Sequence, residues 1–75
     1  MVAMNIPLFA TTLVCAGHVR SFEIRLASPG WEAFERQNQQ VVQQAHYNDW
    51  HHVELALRSF ARAIATLKEE GWRER

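Results

Sequence analysis

Between Tyr47 and Glu54 the chain changes its hydrophobic period, and that change limits what it can fold into more than any other feature. Before this point apolar residues tend to alternate with polar ones. After it Trp50, Val53, Leu57, Phe60, Ile64 and Leu67 recur every three or four positions. A period of two places side chains on one face of a strand, and a period near 3.6 places them along one stripe of a helix. The order, strands first and one helix last, predicts an α+β domain: a three- or four-stranded antiparallel meander packed by one long C-terminal helix.

Residues 1–6 read as a loose leader, with Met4 as an alternative start, residues 8–47 as strands and residues 49–70 as the helix. Leu8 to Cys15 is rich in β-branched and apolar residues, and Ala16-Gly17 supplies a turn. In His18 to Ala27, Phe22, Ile24 and Leu26 point one way with Arg20 at the rim of that face, while Ser21, Glu23 and Arg25 point the other way. Ser28-Pro29-Gly30 is turn chemistry. Trp31 to Arg36 reads as a third strand, Gln37-Asn38-Gln39 as a hairpin tip, and Gln40 to Tyr47 as a fourth strand whose glutamines are weak strand formers. Asn48 or Asp49 can cap the helix. Gly71 suits its end, with Trp72 folding back on Leu67. The expected core is Leu13, Phe22, Ile24, Leu26, Trp31, Val41, Trp50, Val53, Leu57, Phe60, Ile64 and Leu67, with Phe34 also placed under the helix.

Seventy-five residues give room for one core. A chain of this size buries only about 60% of the surface its unfolded form exposes, so small domains often add disulfides, a metal or a partner subunit. Cys15 is the only cysteine, which excludes an internal disulfide and points to a reducing, cytoplasmic setting. Large aromatic side chains or a second copy of the chain are the remaining compensations. Eight Lys and Arg balance eight Asp and Glu, so the chain lacks the overall positive charge of a domain that grips many phosphates. The apolar stretch before Gly17 has no Lys or Arg ahead of it and carries bulky Val14 before Cys15, which argues against a signal peptide. It is also too short to span a membrane.

Several residues carry candidate chemistry. His46, His51 and His52 are weak metal candidates, because the adjacent pair points about 100° apart on a helix and a site would need Asp49 or Glu54 as well. Neither a metal nor any other cofactor is expected. Cys15 closes an apolar run, where cysteines usually pack rather than react. With no phosphate-binding loop, nucleophile elbow or framed carboxylate pair, no catalytic residue is expected. Arg58 and Arg62 lie one turn apart on the helix, but nearby glutamates dilute their field. Leu55, Ser59, Ala63 and Thr66 form a second, small-residue stripe beside the core face.

Gly30-Trp31-Glu32, Tyr47-x-Asp49-Trp50-His51-x-Val53-Glu54 and Gly71-Trp72 resemble a pattern shared by short uncharacterised bacterial proteins. The resemblance covers residues 20–72 and implies no activity. The order of strands, helix and Gly-aromatic end is also similar to the WGR module. That module's defining Trp-Gly-Arg triplet and basic surface are missing here, so its nucleic-acid role does not carry over.

The sequence therefore predicts a small non-catalytic protein-interaction module, an adaptor or regulator whose partner is another protein or a second copy of itself. Its partner-binding residues would be Trp50, Leu55, Arg58, Ser59, Arg62 and Trp72. A nucleic-acid-binding accessory protein is the alternative.

Overall fold

Each alternating segment pairs with the next in a computed structural model that describes residues 7–75; the leader expected over residues 1–6 lies outside the described residues. The strands are β1 (Phe9–Cys15), β2 (His18–Leu26), β3 (Trp31–Gln37) and β4 (Gln40–Tyr47), followed by helix α1 (Trp50–Glu69) and a two-residue strand β5 (Arg73–Glu74). They form one antiparallel sheet in the order β4-β3-β2-β1-β5. The meander is the predicted one, and β5 is an addition to it.

Tight turns set the register. Ala16-Gly17 and Asn38-Gln39 both have positive φ at their two central residues, the geometry whose twist matches paired strands. Asn38 also ties its hairpin to β2, accepting from the Val19 N–H through Oδ1 at 3.0 Å and donating its own N–H to the Val19 carbonyl at 2.7 Å. Between β3 and β4, Glu35 opposes Gln43 while Arg36 opposes Val41, leaving Val42 as a bulge.

Asp49 is the helix cap: its carboxylate accepts from the His51 N–H at 2.9 Å. At the far end the Trp72 N–H donates to Leu67 O and the Gly71 N–H to Lys68 O, the paired bonds of a Schellman ending. This reversal returns the chain alongside β1, where Glu74 opposes Leu13 and Arg73 opposes Val14. A contact of 2.8 Å between Lys68 and Glu74 closes the corner. Two charged residues carry no periodic signal, so pattern reading passes over β5.

The helix covers one face of the sheet through two adjoining clusters. Leu13, Phe22, Ile64 and Leu67 form the first; Ile24, Ala33, Val53 and Ala56 form the second. Phe9 and Phe60 pack against both and join them, with Phe60 centred 5.1 Å from Phe22 and 6.2 Å from Phe9. Leu13, Phe22, Ile24, Val53, Ile64 and Leu67 are buried as predicted. Trp31, Leu57 and Phe60 are half-buried at the margins.

Four expected core positions differ. Leu26 is 72% exposed as the last residue of β2. Val41 is exposed because the bulge at Val42 pairs it with Arg36, on the face away from the helix. Trp50 is the first helical residue and is 44% exposed, ahead of the turn that Val53 buries. Phe34 is buried, but on the opposite face. Glu35 sits across from helix-facing Phe22, so Phe34 must point the other way. There the guanidinium carbons of Arg25 and Arg36 lie 4.6 and 5.0 Å from its ring centre and shield it from water.

Candidate functional site

Burial falls away across the sheet toward β4. The buried helix residues pack on β1, β2 and β3, whereas β4 contributes only Ala45 and Tyr47 as half-buried positions and is otherwise exposed. A shallow groove results between the sheet and one flank of α1. Glu35, Gln43, Ala45 and Tyr47 line its floor, and Ala56 and Ser59 line its helical wall. Further along, Arg20 on β2 and Arg62 and Thr66 on α1 border a second hollow. Arg20 does not offer a free cation to it, since its guanidinium pairs with Glu35 and lies over the Phe22 ring.

Among the described residues no strand lies beyond β4, so one side of its backbone offers unpaired N–H and C=O groups. Its eight residues include no Asp, Glu, Lys, Arg or Pro. Natural sheets usually blunt such an edge with charges, proline or brevity. The other edge follows that rule: β5 is two residues long, both charged, and Arg75 follows it. The bulge at Val42 distorts the start of β4 but leaves Gln43–Tyr47 regular.

The predicted partner-binding residues separate into groups. Leu55, Ser59 and Arg62 share one flank of α1, at spacings of four and three, and all are exposed. Ser59 lines the groove and Leu55 is 45% exposed. Arg58 is exposed one turn before Arg62. Trp50 packs edge-on against Trp31 with ring centres 5.5 Å apart, and Trp31 in turn opposes exposed Leu26 across β2 and β3. Trp72 is half-buried against Leu13, Phe22, Ile64 and Leu67, so part of its ring closes the core and only the remainder faces outward.

The histidines do not converge. His46 contacts the Pro29 carbonyl at 2.6 Å, His52 stacks on Tyr47, and His52 Nδ1 lies 3.6 Å from the Asp49 carboxylate. Among the described residues no group of three His, Cys, Asp or Glu side chains is placed to hold a metal ion. Cys15 is half-buried and opposes His18 at the β1–β2 turn.

Pattern reading did not select the exposed edge of β4, with Val41 and Val42 half exposed. A signal was present: the last strand of a meander is an edge strand unless another returns beside it, and this one carries no protective charge. No helix among the described residues is long and apolar enough to cross a membrane. A scan of protein-family models and searches of curated proteins and of solved structures return no match to this chain.

Proposed function

We propose that this chain is a non-catalytic protein-interaction module, an adaptor or regulator that docks through the β4 edge and the neighbouring flank of α1. One observation carries the reading: an uncharged, exposed edge strand borders a groove whose helical wall includes Ser59, with exposed Leu55 and Arg62 one turn to either side of it on the helix. Unpaired strand backbone supplies affinity to an added strand, and the side chains beside it supply selectivity. Trp50, 44% exposed and packed on Trp31, adds apolar surface and suits an anchor role, since large aromatics dominate binding energy at interfaces.

The test is retention of protein on the immobilised chain, compared with a Leu55→Glu, Ser59→Glu variant. Both positions are exposed, so the melting curve should stay within about 0.5 kcal/mol of the parent. Retention should fall at least about tenfold, because a buried unpaired charge is costly at an interface. A parent chain that retains no protein and does not self-associate would contradict the proposal.

A second reading, a nucleic-acid-binding accessory role, draws on the sheet face away from the helix. Strand register gathers Arg25, Arg36 and Arg73 there, with Arg75 beside Thr12, against Glu23 and Glu32. The balanced total thus divides unevenly between the two faces. Arg36 is held by Glu23 at 2.9 Å, and Phe34 is covered and unavailable for base stacking, so this reading ranks second. Retention on a polyanion column falling steeply with salt would favour it.

A further inference from the structure

We infer that the partner of the β4 edge is a second copy of this chain, joined antiparallel along Gln43–Tyr47; this rests on the interaction reading above. The edge is self-complementary. A two-fold axis through Ala45 pairs Gln43 with Tyr47 and Gln44 with His46 across the junction, amide against phenol and amide against imidazole. No acidic or basic side chain of β4 meets its like, whereas pairing through β5 would bring Arg73, Glu74 and Arg75 together. The bulge at Val42 falls outside the five paired residues and limits the length of the ladder.

The same asymmetry explains why the assembly stops at two. Joining β4 to β4 uses the same patch on both copies, so the contact closes on itself. The remaining edges of the joined sheet are then both the short, charged β5, which discourages further addition. Both grooves lie on the same side of the joined sheet, next to the junction, and extend it from the strand pair to Ala56 and Ser59 on the helix.

Sedimentation equilibrium tests this with three proteins: the parent, a Gln44→Lys, His46→Lys variant and a Gln44→Glu, His46→Glu variant. At high concentration the parent should weigh twice the 8.7 kDa of one chain. Each variant alone should weaken the dimer at least about tenfold, because like charges then oppose one another. Mixing the two variants should restore it, which a misfolded variant could not do. The proposal is overturned if the parent has the single-chain mass at every concentration, or if the dimer survives both substitutions. It is also overturned if mixing fails to restore the dimer, or if removing residues 1–6 abolishes a dimer that the β4 changes leave intact. A monomeric parent that still retains a different protein, released by Leu55→Glu, would end self-pairing and leave the interaction reading standing. A monomer retaining none would end both.

Discussion

Replacing Phe22 with Ala should remove a large share of the stability of the domain. Phe22 is 1% exposed, sits in the first core cluster and meets Phe60, the residue that joins that cluster to the second. Truncating a buried phenylalanine costs about 3–5 kcal/mol through lost transfer energy and the cavity left behind. At roughly 0.05–0.15 kcal/mol per residue, a domain of this length holds about 4–11 kcal/mol in total, so one truncation consumes about a quarter of it or more. The melting midpoint should fall by at least about 12 °C, or cooperative unfolding should vanish. Leu26→Ala is the control. Pattern reading gives it equal rank with Phe22 on the same strand face, yet Leu26 is 72% exposed and its loss should cost less than about 0.5 kcal/mol. Comparable losses from both variants would contradict the helix placement.

Gly30→Ala should be the second most damaging single change, for a backbone reason. Gly30 has φ +81°, and its carbonyl accepts from the Ala27 N–H at 2.8 Å to close the turn between β2 and β3. A methyl group there would collide with the Tyr47 carbonyl oxygen and lie 3.1 Å from Asn48 Oδ1, just ahead of the helix cap. The left-handed conformation alone costs a substituted residue about 1–2 kcal/mol. The collision adds to that, since it is with backbone and can be relieved only by moving the end of β4. Gly17→Ala separates the two effects: its φ is also +81°, but a methyl group there meets nothing within 4 Å. Denaturant titration should find Gly30→Ala less stable than Gly17→Ala by at least about 1 kcal/mol, the scale of overpacking penalties. Equal losses would contradict the close approach of the two segments.

The change of period near Tyr47 made the architecture legible, because the spacing of apolar residues reports directly on strand or helix. Asp49, Gly71 and Trp72 were legible because capping chemistry is local. What escaped was what distant register decides. Phe34 was misplaced because its face depends on which β3 residue opposes Phe22. Val41 was misplaced because one bulge residue inverts the alternation. β5 is created by the helix reversal and charged pairing, with no apolar pattern of its own. At the candidate site, Leu55, Ser59 and Arg62 share a flank that helical spacing alone predicts, whereas the β4 edge shows in the sequence only through its place last in the meander and its lack of charge.

Hydrogen exchange of the β4 amides at several protein concentrations tests most directly whether this edge is the docking surface. Within Gln43–Tyr47, amides directed away from β3 should be protected at high concentration and exchange quickly on dilution, while β2 amides between two strands stay protected throughout. Exchange along β4 that stays the same at every concentration, with no partner added, would contradict pairing between copies.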